Sequence, residues 1–314
     1  MSVRRDQAIE PYKNNSSWTH FEDLDDLREQ YDGGWLTGSV GALGDAIDFS
    51  IKRQRDSKRL AVIFNSQQKA DSPLKLFTWG NVGKLLDCTR LHIADPTLNI
   101  SEVATLGWYT ANKRGNFQYQ IGQLILLFKD ALNVEEIVFL GSSGGGFPAA
   151  YYSQLFPGSL ALLLAPVFNV SRSIQSKAKQ QFAVELNGVD TFDDALQCHP
   201  EVSFDVGAIV RKNDGRLLSS IHILQSRGDS GFWQHQTQPF LEQIGTRCQL
   251  PPKSLSQDRF SMLLGEWSDG HAPPPIDVIN AACRSLASLP LGSLDQYDLS
   301  KLQYGVHECI HPPR

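Results

Sequence analysis

The sequence predicts an α/β fold in which a mostly parallel central sheet is covered by helices on both faces. From about residue 46 onward, short apolar runs alternate with segments whose apolar residues recur at helical spacing. Most of these runs are continuously apolar, which is typical of strands buried on both faces of a parallel sheet. The chain has 314 residues, of which 41% are hydrophobic and 20% charged, so it can bury a large core without metal or disulfide support.

Seven segments are predicted as strands of this sheet. They are residues 47–51, 59–66, 90–96, 137–140, 160–168, 221–225 and 262–264. The first alternates apolar and polar residues and is expected to be half-buried, and the third is stopped by Pro96. The run 160–168 is the longest apolar stretch, yet it is far shorter than the roughly 20 residues of a membrane span. The sequence therefore predicts no membrane-spanning segment.

Helices are predicted between these strands. Apolar residues at helical spacing predict helices over 118–132, 147–156, around 240–244 and over 276–289. Pro157 and Gly158 end the second of these helices, and three prolines precede the last one. The polar segment 170–219 interrupts the alternation of strands and helices and is predicted to be mostly helical.

The first 45 residues are predicted to form a polar N-terminal extension. Phe21, Leu24 and Leu27 recur at helical spacing within an acidic stretch, so a helix is expected there. Thr19 is its expected cap, and Gly33 lies just beyond its expected end. This helix is expected to lie on the domain surface or to offer an acidic docking face. The predicted organisation is an extension over 1–45, one domain over 46–289 and a tail over 290–314.

The charge balance and the cysteines exclude several classes of function. A net charge of −5 gives no overall positive field, so no nucleic-acid partner is expected. No secretory signal is predicted, because no apolar region follows Arg4 and Arg5. The cysteines form no CxxC pair and indicate no zinc site, and they are expected to be reduced thiols of a cytoplasmic protein. They are Cys88, Cys198, Cys248, Cys283 and Cys309.

One glycine-rich segment carries a catalytic motif. Gly141, Ser143 and Gly145 fit the pattern G-x-S-x-G, directly after a predicted strand and before a predicted helix. A serine on such a sharp turn has a strained backbone, and side chains two residues away on either side would collide with their neighbours. The hydroxyl then lies at a helix N-terminus, where negative charge is favoured. Ser142 does not fit the pattern, because Leu140 stands where the first glycine would be.

Three other interpretations of this glycine-rich segment exist. A phosphate-binding P-loop needs Lys and then Ser or Thr after the last glycine, but Phe147 and Pro148 follow Gly146. Residues 144–149 fit the dinucleotide pattern G-x-G-x-x-A, yet the next predicted strand ends without an acidic residue to hold a ribose. A plain tight turn with no catalytic role remains the third possibility.

With this motif, residues 46–289 resemble the α/β-hydrolase superfamily. The resemblance implies a triad in the chain order serine, acid, histidine. Ser143 would be the nucleophile, Asp229 after the strand 221–225 the acid, and His271 after the strand 262–264 the base. Asp269 is the alternative acid and His235 the alternative base.

The same resemblance implies an oxyanion hole and a lid. One backbone N–H donor would come from Gly144, and another from Asn65 or Ser66 after the strand 59–66. The segment 170–219 occupies the position of a helical lid. No metal and no required cofactor are expected.

A second resemblance concerns Asp95-Pro96-Thr97-Leu98 and Gly107-Trp108-Tyr109 together with the glycine-rich segment. These motifs are similar to those of bacterial hydrolase-fold proteins that modify polysaccharides and glycoproteins, O-acetyltransferases among them. Trp108 and Tyr109 are then either packing residues or an aromatic wall on which a sugar ring stacks.

The function expected from the sequence is a serine esterase that acts through an acyl-enzyme on a small ester or glycan substrate. One alternative is an O-acetyltransferase that moves acetyl from acetyl-CoA to a glycan hydroxyl. The other alternative is a hydrolase-fold interaction protein without catalysis.

Overall fold

A computed structural model describes residues 2–15, 17–42, 45–70, 72–246 and 253–302. Within these ranges it has twelve strands and eleven α-helices. The strands are β1 (Thr19–Phe21), β2 (Leu36–Val40), β3 (Ile47–Lys52), β4 (Arg59–Phe64), β5 (Thr89–Ile93), β6 (Ala111–Asn112), β7 (Gly115–Asn116), β8 (Glu136–Ser142), β9 (Leu160–Leu164), β10 (Ser220–Ser226), β11 (Ser254–Gln257) and β12 (Phe260–Gly265). The helices are α1 (Val3–Asn14), α2 (Leu24–Gln30), α3 (Gly80–Lys84), α4 (Phe117–Ala131), α5 (Gly146–Leu155), α6 (Ser176–Gln181), α7 (Phe192–Gln197), α8 (Val206–Lys212), α9 (Ser230–Phe232), α10 (Gln238–Gln243) and α11 (Ile276–Ala287).

Ten strands form one sheet in the order β1-β2-β3-β5-β4-β8-β9-β10-β12-β11. All neighbours from β5 to β12 are parallel, whereas β3 is antiparallel to both β2 and β5. β4 and β9 are buried along their whole length, as expected for strands covered on both faces. The predicted mostly parallel sheet is therefore confirmed.

The strand order reverses at β4 and β8. The chain leaves β4 for β5 on one side and later adds β8 on the other side of β4. In open α/β sheets, ligands bind in the crevice outside the carboxyl ends of the strands at such a reversal. The loops after β4 and β8 are thus the first place to look for a site.

The N-terminal extension, predicted over residues 1–45, contributes strands to the main sheet. Thr19–Phe21 is a strand that pairs with β2 in the main sheet, so the helix expected to start at Thr19 is wrong at that end. The helix begins at Leu24, and its cap is Asp23, whose carboxylate accepts the N–H groups of Asp25 and Asp26.

A buried ion pair fastens α1 to the sheet. The Arg5 guanidinium donates to both carboxylate oxygens of Asp48 in β3, at 2.8 and 2.5 Å. Both side chains are at most 2% exposed, so the two charges compensate each other away from water. The first 45 residues are therefore built into the domain through α1 and two strands.

The predicted tail over 290–314 is also part of the domain as far as residue 302, and residues 303–314 lie outside the described ranges. Leu294, Tyr297 and Leu299 are buried against the core. The Leu299 N–H donates to Ser261 Oγ in β12 at 2.8 Å, and that hydroxyl in turn lies 2.7 Å from His222 Nδ1 in β10.

His222 is expected to make the protein sensitive to acid. Burial lowers the pKa of His222 to about 3, whereas the histidine of an unfolded chain titrates near 6.5. The unfolded state therefore binds the proton first, and stability is lost as the pH falls from about 6.5 toward 3. His222→Asn, whose side-chain amide can take the place of Nδ1, should reduce the pH dependence of the unfolding free energy by up to about 1.4 kcal/mol per pH unit.

Urea unfolding between pH 4 and 6.5 measures this difference. Burial also lowers the pKa of His92, to about 4, so part of the acid sensitivity should persist in the variant. Parallel stability curves for the wild type and His222→Asn would contradict the prediction.

The segment between β9 and β10 is largely helical, with α6, α7, α8 and a π-helical turn over Phe182–Asn187. Phe182 and Phe192 pack edge-on against Trp108, with ring centroids 5.7 and 6.2 Å apart. Gln175 donates to the side chain of Gln67 at 2.9 Å. The segment is thus fastened to loops at the carboxyl edge of the sheet, and its role as a lid stays a prediction.

No helix within the described ranges combines the length and the apolarity that a membrane crossing needs. Cys88, Cys198 and Cys283 are free thiols, while Cys248 and Cys309 lie outside the described residues. The cytoplasmic location stays a prediction.

Candidate active site

Ser143 lies on a strained turn between β8 and α5. Its φ of 52° is in the left-handed region, which side-chain-bearing residues rarely adopt. A Cβ on Gly141 would be 2.0 Å from the carbonyl oxygen of Gly145, and a Cβ on Gly145 would be 2.3 Å from that of Asn65. Both glycines are therefore required by backbone contacts, as the G-x-S-x-G spacing predicts. Strain of this kind persists where the surrounding structure enforces it, and it is concentrated at functional sites.

The three residues predicted as a triad are brought together by hydrogen bonds. Ser143 Oγ lies 2.8 Å from His271 Nε2. His271 Nδ1 lies 2.7 Å from Asp229 Oδ2. The Asp229 side chain is 3% exposed and the His271 side chain 28% exposed. The carboxylate is thus shielded from water, while the imidazole stays within reach of a ligand.

Asp229 holds both the histidine and a short helix. Its second oxygen, Oδ1, accepts the N–H of Phe232 at 3.3 Å and so caps α9. The Phe232 ring stacks on His271 with centroids 3.6 Å apart and planes 9° from parallel. One face of the imidazole is therefore covered by the helix that its partner caps. Sequence reasoning missed Phe232, although its position three residues after Asp229 is a capping spacing.

The loops that carry Asp229 and His271 are joined by Ser226 at the end of β10. Ser226 Oγ donates to the Ser268 carbonyl at 2.8 Å and accepts the Ser268 N–H at 3.0 Å. A Cβ on Gly228 would be 2.1 Å from that same carbonyl. The close approach of the two loops fixes the acid and the base relative to each other.

The alternative acid and base lie apart from this arrangement. Asp269 and His235 are both exposed. Neither makes a side-chain hydrogen bond or ion pair within the described ranges, which favours Asp229 and His271 as the partners of Ser143.

The backbone N–H groups predicted as oxyanion donors differ in whether they already have a hydrogen-bond acceptor. Gly144 lies in the first turn after β8, where the leading N–H groups of a helix have no helical acceptor. The N–H of Asn65 is already used, because it donates to Tyr109 Oη at 2.6 Å. The prediction of Asn65 as a donor is therefore wrong. The Ser66 N–H has no acceptor among the described residues, so Ser66 remains as the second candidate.

Trp108 and Tyr109 do not form an exposed aromatic wall. They are 0% and 1% exposed, so neither ring offers a face on which a sugar could stack. Trp108 is covered by aromatic residues of the segment between β9 and β10, and Tyr109 packs edge-on against Phe64 at 5.1 Å. Their burial favours packing over an aromatic wall for both rings.

Two observations limit what else the site could be. A surface cavity of about 760 Å³ is lined by residues of α4 and α5 such as Tyr119 and Tyr151, and none of the three hydrogen-bonded residues lines it. Among the described residues, no group of three or more His, Cys, Asp and Glu side chains could hold a metal ion. The candidate site is the hydrogen-bonded group of Ser143, His271 and Asp229.

The sequence matches no protein-family model and no curated protein. In structure, the chain is similar to the capsule O-acetyltransferase of Neisseria meningitidis serogroup A, with a TM-score of 0.51 and 17% identity over 72% of this chain and 85% of that chain. A mutant of that enzyme in complex with CoA gives a TM-score of 0.49 and 17% identity, over 68% and 86%. Est1E from Butyrivibrio proteoclasticus gives 0.39 and 10%, over 73% and 88%.

The strand order, the Ser143 turn and the first of these likenesses together decide the fold. The chain has the α/β-hydrolase fold. Within this fold Ser143 follows β8, Asp229 follows β10 and His271 follows β12, which is the chain order of serine, acid and histidine. The parallel strands bring their carboxyl ends to one edge of the sheet, so residues 128 positions apart can meet there.

Proposed function

We propose that this protein is a serine-dependent acyl-transfer enzyme that hydrolyses esters through an acyl-enzyme on Ser143. The observation that carries the proposal is the pair of hydrogen bonds at His271, 2.8 Å to Ser143 Oγ and 2.7 Å to Asp229 Oδ2. A serine hydroxyl is a weak nucleophile until an adjacent base takes its proton, and that base needs a third group to fix its tautomer. The distances support these three roles.

In the first half of the reaction, Ser143 Oγ attacks the carbonyl carbon of the ester while its proton passes to His271 Nε2. The buried Asp229 carboxylate stabilises the imidazolium that forms. The former carbonyl oxygen gains the negative charge, which the N–H groups of Gly144 and Ser66 would stabilise. When the intermediate collapses, the alcohol leaves with the proton from His271 and the acyl group stays on Ser143.

In the second half, an acceptor hydroxyl replaces the alcohol. Water gives a proton to His271 and attacks the acyl carbon, and the acid leaves as Ser143 regains its proton. Every group in this cycle belongs to the chain or the substrate, so the proposed hydrolysis requires no cofactor.

A second candidate is transfer of acetyl from acetyl-CoA to a glycan hydroxyl. The similarity to the capsule O-acetyltransferase, at a TM-score of 0.51, favours it. Next to Ser66, the exposed Gln67 side chain accepts a hydrogen bond from Gln175 and donates one to Thr105, so this loop is polar, as a hydroxyl-rich acceptor would require. The chemistry at Ser143 would be the same, and a sugar hydroxyl would replace water in the second half.

Kinetic assays on defined substrates distinguish these functions. We expect hydrolysis of p-nitrophenyl acetate without stimulation by acetyl-CoA. CoA release from acetyl-CoA that depends on an added glycan, measured with a thiol reagent, would instead establish the transferase. If neither reaction occurs and a fluorophosphonate probe does not label the protein, the proposed function is wrong and the interaction-protein alternative is favoured.

A further inference from the structure

Two adjacent residues behind the candidate site have a strained backbone. Trp108 and Tyr109 have φ values of 55° and 60°, both in the left-handed region. Both side chains are buried, so no solvent-exposed turn explains the conformation. Two consecutive residues of this kind persist only where the surrounding structure enforces them, and such strain is concentrated at functional sites.

The strained turn directs the Tyr109 hydroxyl to the end of β4. Tyr109 Oη accepts the Asn65 N–H at 2.6 Å and lies 3.2 Å from the Ile93 carbonyl, to which it can donate its proton. Asn65 follows β4, and Ile93 is the last residue of β5. The hydroxyl thus links the ends of two neighbouring parallel strands at the edge where Ser143 lies.

The peptide group that follows Asn65 lies against the nucleophile turn. A Cβ on Gly145 would be 2.3 Å from the Asn65 carbonyl oxygen and 2.8 Å from its carbonyl carbon. That carbon is bonded to the nitrogen of Ser66, whose N–H has no acceptor in the described parts of the chain. The free N–H therefore belongs to a peptide group that touches the Ser143 turn.

The Asn65 side chain fixes the same peptide from the other side. Its amide nitrogen donates to the carbonyls of Lys75 and Leu76 at 2.9 and 2.7 Å. Its amide oxygen accepts from both the N–H and the hydroxyl of Thr78, at 2.9 and 2.7 Å. With the backbone N–H held by Tyr109, every polar hydrogen of Asn65 is engaged, which leaves the next N–H, that of Ser66, as the open donor.

The turn that carries Tyr109 is held by a buried carboxylate. Asp95 Oδ1 accepts the Thr97 hydroxyl at 2.6 Å, and Oδ2 accepts the Gly107 N–H at 3.0 Å. A Cβ on Gly107 would be 1.8 Å from Thr97 Oγ1, so this residue must be glycine. Thr97, Asp95 and Gly107 together set the position from which Tyr109 reaches Asn65.

We propose that Tyr109 is a positioning residue, whose hydroxyl holds the Asn65–Ser66 peptide so that the Ser66 N–H faces the oxyanion formed on Ser143. This inference rests on the proposed function. Loss of an entire oxyanion donor typically lowers kcat by about 100- to 1000-fold. Loss of the hydroxyl that positions one donor should therefore cost less, roughly 10-fold in kcat, with KM within about 2-fold of the wild type because the ground state is bound as before.

The test compares Tyr109→Phe with Tyr152→Phe. Tyr152 is also fully buried and also packs on Phe64, but its hydroxyl donates to the Gln118 carbonyl at 3.0 Å and, within the described ranges, makes no hydrogen bond to Asn65 or to the three residues of the candidate triad. We expect Tyr109→Phe to lower kcat for p-nitrophenyl acetate roughly 10-fold and to slow fluorophosphonate labelling by a similar factor, because the phosphoryl oxygen uses the same donors. Tyr152→Phe should change neither rate by more than about 2-fold.

Equal effects of the two variants would overturn the inference. So would a loss of kcat in Tyr109→Phe that is explained by a smaller fraction of folded protein. If Tyr109→Phe fails to fold, the isosteric Thr97→Val replaces it, and an unchanged kcat in that variant would overturn the inference as well.

Failure of the proposed function and failure of this inference give different results. A wild type that neither hydrolyses the ester nor is labelled refutes the proposed function, whereas an active wild type with an equally active Tyr109→Phe refutes only the role of Tyr109.

Discussion

Ser143→Ala is expected to lower kcat for ester hydrolysis by roughly 10⁵- to 10⁶-fold, the scale seen when the nucleophile of a serine triad is removed. The alanine has no oxygen within reach of His271 Nε2, which lies 2.8 Å from Ser143 Oγ, so no acyl-enzyme can form. The left-handed backbone is already enforced by the contacts of Gly141 and Gly145, and alanine adopts it at a cost similar to that of serine. The variant should therefore fold normally.

Two measurements check this prediction. Initial rates with p-nitrophenyl acetate give the loss of kcat, and mass spectrometry after treatment with a fluorophosphonate probe shows whether any residue is still modified. Ser142→Ala is the matched control, because Ser142 is buried at the end of β8 directly before the nucleophile. It should keep the labelling and most of the activity. Full labelling of Ser143→Ala would mean that another residue is the nucleophile.

The parts of the site that could be predicted from the sequence are of two kinds. Some depend on the backbone conformation of a short turn, and others on loops that follow parallel strands. The turn at Ser143 needs glycines two residues away on either side, so its conformation is encoded within five residues. Asp229 and His271 lie in the loops that follow β10 and β12, and parallel strands bring such loops to one edge. Their meeting could therefore be expected from the α/β-hydrolase resemblance together with the order of the elements.

The parts that sequence could not predict depend on contacts between distant segments. The N–H of Asn65 is unavailable because of a hydroxyl 44 residues later in the chain. Trp108 is buried because aromatic residues of the segment between β9 and β10 fold back over it. Neither contact leaves a periodic or motif signal in the sequence, since both depend on tertiary packing.

The error at the N-terminus has a different cause. Phe21, Leu24 and Leu27 do recur at helical spacing, but Phe21 is buried because it ends a strand that pairs with β2. A three-residue strand is too short to show alternation, so helical spacing prevailed in the prediction. The sheet pairing of residues 19–21 with 38–40 overrides the local pattern.

Asp229→Asn should lower kcat by about 10⁴-fold, because it changes which nitrogen of His271 carries the proton. The substitution itself only replaces one carboxylate oxygen by an NH₂ group. Asp229 Oδ1 accepts the Phe232 N–H at 3.3 Å, so the amide oxygen of the variant should keep that place. The amide NH₂ then faces His271 Nδ1, where Oδ2 lies 2.7 Å away in the wild type. Nδ1 must become the acceptor, the proton moves to Nε2, and Nε2 can no longer take the proton of Ser143.

This prediction also decides between the two candidate acids, because Asp269→Asn is a matched control at an exposed position two residues before His271. Steady-state kinetics with p-nitrophenyl acetate should show Asp269→Asn within about 2-fold of the wild type, since no hydrogen bond joins its carboxylate to the imidazole among the described residues. Circular dichroism should show both variants folded, because the cap of α9 is kept by the amide oxygen. A large loss in Asp269→Asn with little change in Asp229→Asn would move the role of the acid to Asp269. Equal and small losses in both would mean that His271 works without a carboxylate partner, which the 2.7 Å hydrogen bond between His271 Nδ1 and the buried Asp229 carboxylate argues against.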